Sequence, residues 1–496
     1  MIGEIDYEEE EKSEQNQHQP LKNDESKEML TRESTTDVNL NEIKDEEINK
    51  LALDQNLNYQ EEKSCSMKEG SIQGSVFALS SMALGTGAFS LPIRCTQLGC
   101  FWYSISILLG AVIAYWTLTK LIQSARTVKA EEYSTSVRRI IGKIPANLID
   151  IILMIYLFGI IVQFDVIIYA LIGRTCYDFF VNKTKYKEFE LYKKDIWDLY
   201  YIKFPVMFGL TILLSPICLL KDISKMRFVS MFGVCALMYS ILVVVAETPW
   251  FYKHYLDKVY KENEPDTHAN WFDISKGFTE ELNFFKGIAT VFFVFSCHPG
   301  VFPVYKSLKN NTEKRINKVI LRSCFLNFVI YLSIAVFGFL TSPVGGEPLI
   351  IFRKKIFDND IFMTIAKISL ALDLYLSIPA NYNALRASFF ILVFKTDKID
   401  NKRNFLVTFP VLFLATFIGA IFEDILSYIS LLGGFFCSII CFFIPGALML
   451  ITSEEKFYSP NNFIKMLILG ILCFIGFIAG VLTIMDLIFE KDKKNK

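Results

Sequence analysis

The sequence predicts an all-α polytopic membrane protein of about eleven transmembrane helices, built as two inverted halves of five with one helix left over. Three observations predict this. Of 496 residues, 52% are hydrophobic and 15% aromatic, and the apolar residues come in runs of about 20, the length that crosses a hydrocarbon core of about 30 Å. Charge is partitioned along the chain: residues 1–70 hold 20 acidic and 8 basic side chains and the rest hold 32 and 43, so a net charge of -1 hides -12 and +11. Two of the apolar runs, five apart, are interrupted by helix breakers.

Residues 1–70 have Tyr7 and Tyr59 as their only aromatics and carry runs such as Glu8-Glu9-Glu10-Glu11. So little apolar surface does not offset the entropy of ordering a chain, and the segment is expected to be a disordered, acidic cytoplasmic tail. It lacks the basic start and apolar stretch of a secretory signal, so the first span is its own insertion signal. Residues 71–490 form the expected transmembrane domain, and 491–496 a short C-terminal tail.

The eleven candidate spans run approximately over 74–93, 99–119, 147–173, 204–220, 228–246, 285–305, 319–341, 361–385, 405–422, 425–451 and 463–489. The fourth and ninth are short, and only Glu423 and Asp424 separate the ninth from the tenth. Loops after even-numbered spans collect basic residues, among them Arg138, Arg139, Lys221, Lys225, Lys314, Arg315, Lys402 and Arg403. Basic loops stay on the cytoplasmic side, which places the N-terminus inside. The 11 cysteines fall mostly within spans and read as small hydrophobes; no disulfide framework is expected.

Span one contains Gly85-Thr86-Gly87 and span six contains Ser296-Cys297-His298-Pro299-Gly300. Glycines weaken a helix by about 1 kcal/mol each, and a proline removes a backbone donor and clashes with the preceding turn. Unwound backbone at membrane depth is tolerated where it is buried in protein or lines a cavity, and its free groups then bind a solute. Breaks five spans apart relate spans one to five and six to ten by an axis in the membrane plane. His298, the one histidine in any span, either bonds a carbonyl freed by the break or carries a proton.

Intramembrane carboxylates need a partner or a function. Asp165 lies in span three with Tyr169 one turn further on. Asp373 lies in span eight, where Ser369, Asp373, Ser377 and Asn381 follow at steps of four and draw a polar stripe. Each carboxylate either lines an ion or substrate path or is held for packing. A protonated Asp is the less costly form, and a proton-coupled carrier works by that change.

These residues resemble the amino acid/auxin permease family, close in pattern to the sodium-coupled neutral amino acid transporters. The matching residues are Gly74-Ser75-Val76-Phe77, Gly85-Thr86-Gly87, Leu91-Pro92 and Leu98-Gly99; Phe295-Ser296-Cys297-His298 and Phe302-Pro303-Val304-Tyr305; and Pro379 with Leu385-Arg386. The resemblance implies a leucine-transporter-like 5+5 fold. It also implies a substrate carboxylate at the amides of Gly85, Thr86 and Gly87 and a substrate ammonium at carbonyls near Phe295 and Ser296. His298, Asp165 and Tyr169 join the candidate substrate-binding set. Sodium in such relatives lies between spans one and eight, which points to Ser81 and Ser377. Ser81 stands where those relatives often have Asn, and Asp373 is outside the pattern, so the coupling ion is H+ or Na+, with Asp373 as a third ion-coupling candidate.

The expected function is secondary active amino acid symport by alternating access, with no organic cofactor and no nucleic-acid partner. An amino acid sensor signalling through the tail, with a cytoplasmic partner, is the alternative. No Ser/His/Asp set or metal-ligand spacing supports an enzyme. The expected location is the plasma membrane or a vacuolar or lysosomal membrane. Abundant Phe, Ile, Lys, Asn and Tyr match AT-rich codons, as in an apicomplexan parasite.

Overall fold

Every one of the eleven apolar stretches meets a helix. The computed structural model describes residues 70–180, 203–220, 227–262, 269–279, 283–353, 360–395, 400–421, 424–453 and 459–494. The acidic segment expected to be a tail lies outside them. Residues 67–496 form one compact unit. Among the described residues, eight helices are long and apolar enough to cross a membrane by themselves: Cys100–Thr127, Lys143–Ile172, Phe232–Asp257, Glu313–Thr341, Ile361–Phe394, Asn401–Ile421, Ile425–Ile451 and Pro460–Ile488. A bent pair, Ile72–Ala83 with Thr86–Leu98, makes a ninth, and Phe204–Cys218 and Asn283–Val294 are shorter apolar helices. In chain order they are spans one to eleven.

Both breaks form where the residues demand them. Helix Ile72–Ala83 stops before Gly85, which is extended, and the chain resumes as a 3-10 turn over Thr86–Ser90 and a helix over Leu91–Leu98. The two arms meet at 55°. In span six the helix Asn283–Val294 stops, residues 295–300 are irregular, and Val301–Ser307 continues after Pro299-Gly300. Span ten departs from a plain α-helix: Leu432–Phe443 is π-helical. A Cβ on Gly434 would stand 2.8 Å from the carbonyl of Gly476 and 2.8 Å from the nitrogen of Gly480, so spans ten and eleven touch backbone to backbone across small residues.

The 5+5 repeat appears in the packing. Exchanging each span for the one five positions away should turn every packed pair into another packed pair. Spans two and seven, three and eight, and four and nine pack together and map onto themselves. Span one packs on seven and on five, and its equivalent, six, packs on two and on ten. Five packs on seven and eight, as ten packs on two and three; four packs on eight, as nine packs on three. Each crossing reverses direction, so equivalents five apart run opposite ways through the membrane, which makes the repeat inverted. Span eleven lies outside it, against spans six and ten.

At one end of this frame Arg386, 1% exposed, collects the last carbonyls of span four. Its Nη1 donates to Cys218 O at 3.0 Å and Asn404 Oδ1 at 2.9 Å, and its Nη2 to Leu220 O at 3.0 Å and to Asn383. Asn404 adds a bond to Leu219 O at 3.0 Å. Helix C-terminal carbonyls lack intrahelical donors and carry partial negative charge, so a buried guanidinium is stabilised there without a carboxylate. Arg386→Leu leaves these acceptors unpaired in a dry site; a loss of about 3 kcal/mol in stability is expected. Thermal unfolding of the detergent-solubilised protein measures it, and an unchanged midpoint refutes the capping role.

Candidate functional site between the two breaks

The breaks of spans one and six face each other. A Cβ on Gly87 would stand 2.8 Å from Phe293 Cδ1 and 3.0 Å from Val294 Cγ1, so only glycine lets the unwound turn of span one reach the last turn before the break in span six. Gly85 is different: a Cβ there meets nothing within 4 Å, and the residue is half-buried although it lies mid-span. Gly85 therefore borders open space. Among the described residues, no backbone carbonyl accepts from the N–H groups of Gly85, Thr86 or Gly87. These three donors at the head of a helical turn make a natural carboxylate position.

On the span six side, Ser296 donates to Phe293 O at 2.7 Å, and the Tyr156 hydroxyl of span three lies 2.7 Å from Ser296 Oγ, so Tyr156 donates to it. Span three contributes again two turns later. Gln163, 1% exposed, donates through Nε2 to Thr86 Oγ1 at 3.3 Å, and its Oε1 is buried without a partner. Span seven supplies Tyr331, whose hydroxyl lies 2.7 Å from Ala83 O and 2.7 Å from Val294 O, the terminal carbonyls of both broken half-helices. The ring of Phe295 packs edge-on against Tyr331 at 5.1 Å.

His298, buried, lies with Nε2 2.8 Å from Thr117 Oγ1 of span two. Thr117 donates to Ile113 O at 2.9 Å, so the imidazole is the donor and its proton sits on Nε2. Nδ1 has no partner. A cavity of about 10 Å³ beside the ring, lined by Ala114, Phe295, Cys441 and others, is the smallest that seats one water. His298 thus points to span two.

Asp165 and Tyr169 lie together, as their spacing requires, but off the breaks. Asp165 Oδ2 accepts from Thr416 of span nine at 3.2 Å, and Thr416 lies 2.7 Å from Thr211 of span four. Asp165, Tyr169, Thr211 and Tyr375 line a separate small cavity. The physical reason is angular: residue 165 is rotated about 200° from 163, and Gln163 is the one facing span one.

Asp373, 6% exposed, accepts a long bond of 3.5 Å from Ser377, and a methyl on Gly233 of span five would overlap its carboxylate. Ser81 donates back to Ala78 O at 2.8 Å. Among the described residues no hydrogen bond joins Ser81 to Ser377, and no trio of His, Cys, Asp or Glu is gathered around a metal position.

Two polar contacts lie beyond the breaks, one in the second half of each broken span. Arg94, 2% exposed in the second half of span one, donates to Ser430 of span ten at 2.7 Å and to Gln97 at 2.9 Å. At the other end Lys306, after the break in span six, pairs with Glu131 at 2.9 Å. Nine described cysteines, including Cys95 and Cys100, are free thiols.

The chain is similar to several known proteins. The profile of the family described as "Transmembrane amino acid transporter protein" matches residues 68–489. "Sodium-coupled neutral amino acid transporter 7" of Xenopus laevis is 25% identical over 386 residues, 75% of this chain and 79% of that protein. "Sodium-coupled neutral amino acid symporter 2" of Danio rerio is 22% identical over 286 residues, 55% of this chain and 56% of that protein. A crystal structure of MhsT in complex with L-phenylalanine aligns with a TM-score of 0.49 at 14% identity, covering 84% of this chain and 97% of that one.

Proposed function

The chain belongs to the transmembrane amino acid transporter protein family, and we propose from that premise that it moves amino acids through a site between its two helix breaks. It is an integral multi-pass membrane protein, a secondary active amino acid transporter and not an enzyme, with an amino acid as its small-molecule substrate. Among the relatives reported above the names are those of carriers, and the sensor reading finds no support in them.

One observation carries the site assignment: unpaired amides at Gly85–Gly87 and the freed end of span six converge beside the open space at Gly85. The substrate carboxylate meets those amides, and its ammonium meets carbonyls near Phe295 and Ser296. The two charges of an amino acid zwitterion thereby bridge spans one and six, so binding favours closure around it. Opening alternates between the end tied by Arg94 and Ser430 and the end tied by Lys306 and Glu131. Basic loops set the N-terminus on the cytoplasmic side, of the plasma membrane or of a vacuole or lysosome.

Na+ is the proposed coupling ion, because the relatives are named as sodium-coupled. A second reading, H+, is favoured by Asp373, a buried intramembrane carboxylate whose described hydrogen bond is the long one from Ser377. Uptake of an amino acid panel into proteoliposomes under imposed Na+ or H+ gradients tests both. Uptake that neither gradient drives above the level in empty vesicles would overturn the reading.

A further inference from the structure

We propose that Tyr331 of span seven is a positioning residue that ties the two helix breaks together: its hydroxyl bridges Ala83 O and Val294 O and makes the ends of both half-helices close as one unit. The inference rests on the function proposed above and adds a residue that neither the sequence motifs nor the comparisons assign. Ala83 ends the first half of span one and Val294 ends the first half of span six. A helix C-terminus carries partial negative charge of about half an elementary unit, concentrated on carbonyls that lack a donor. Both oxygens lie 2.7 Å from one hydroxyl, so they are at most twice that far apart. Two such ends repel each other unless something positive stands between them. In broken-helix carriers that place suits a cation or a substrate ammonium. Here a phenolic proton from a third helix stands there.

Nothing about Tyr331 is adventitious. It is 0% exposed, and its ring is fixed edge-on by Phe295, at the break itself. One proton shared between two acceptors holds neither at full strength, so the bridge is strong enough to set register and weak enough to rearrange when an ammonium arrives. Span seven also touches span one elsewhere, where Ser323 Oγ lies 2.9 Å from Ser80 Oγ within the intact helix. That contact joins the same two spans without touching a break, and it supplies the control.

Tyr331→Phe removes one oxygen and keeps the ring. The expected result in proteoliposomes is a rise of about tenfold in KM with the maximal rate little changed, the size of one buried hydrogen bond. Amide hydrogen exchange on the purified protein should accelerate in 82–88 and 293–299 together. Ser323→Ala should move neither. An unchanged KM, acceleration in one segment only, or the same behaviour in Ser323→Ala overturns the tie. If the unmodified protein takes up no amino acid, the proposed function fails instead, and hydrogen exchange still judges the bridge.

Discussion

Gly87→Val is expected to reduce the initial rate of amino acid uptake by at least about a hundredfold, while Gly85→Ala should leave a well-folded protein that binds its substrate poorly. The two glycines are two residues apart and fail differently. At Gly87 even a methyl would stand 2.8 Å from Phe293 Cδ1 and 3.0 Å from Val294 Cγ1, and valine adds two further carbons. The added bulk meets span six itself, so it separates the breaks. Overpacking of this kind costs about 1 to 3 kcal/mol, which at the upper end is already a hundredfold. At Gly85 the backbone is at φ -148° and ψ -174°, open to any residue, and nothing lies within 4 Å. An alanine there strains nothing and only narrows the space in front of the amides. Its KM should rise about tenfold, roughly 1.4 kcal/mol, with an unchanged melting temperature. Uptake kinetics and thermal melting on the same preparations separate the cases. Normal substrate affinity in Gly87→Val would remove the breaks from the binding site.

The span count and both breaks were legible because membrane burial and helix breaking are local properties. About twenty apolar residues, Gly85-Thr86-Gly87 and Pro299-Gly300 each carry their consequence within one or two turns. Facing is not local in that way. The sequence makes Asp165 conspicuous because a carboxylate is costly in a membrane, yet Gln163 and Tyr156, seven apart and so on one face, are the span three residues that reach Thr86 and Ser296. Their signal was present in the spacing, but two neutral polar side chains weigh less than one charge. Tyr331 is one of 22 tyrosines, and its two partners lie 248 and 37 residues away in sequence; nothing around it marks it. The stripe at Ser369, Asp373, Ser377 and Asn381 is half-buried or buried throughout, but it is not straight. At about 100° per residue, steps of four drift by about 40° each, so the stripe turns by about 120° from end to end. Ser369 spends its hydroxyl on Ala366 O and Asn381 its amide on Ser377 O, both within their own helix. Asp373 and Ser377 are bonded to each other.

Asp373→Asn is expected to reduce H+-driven uptake by at least about tenfold, because asparagine keeps the shape and cannot carry the proton. Burial at 6% exposure, with a donor as distant as Ser377 at 3.5 Å, leaves an ionised carboxylate poorly stabilised in span eight. A neutral, protonated Asp373 tolerates that site, and an ionised one needs a cation beside it. On the proposed coupling, either H+ or Na+ lowers the cost of packing span eight onto Gly233 of span five, where a single methyl would overlap the carboxylate. The ion readings diverge in the mutant. A proton carrier loses the pH dependence of uptake along with its rate. A sodium carrier keeps its pH profile and needs about ten times more Na+ for half-saturation, the loss of one charge-assisted contact. Gly233→Ala should mimic either defect by displacing the carboxylate while leaving its chemistry intact. Uptake by Asp373→Asn with unchanged rate, pH profile and Na+ dependence would make Asp373 a packing residue, and the coupling ion would then have to bind elsewhere in the bundle.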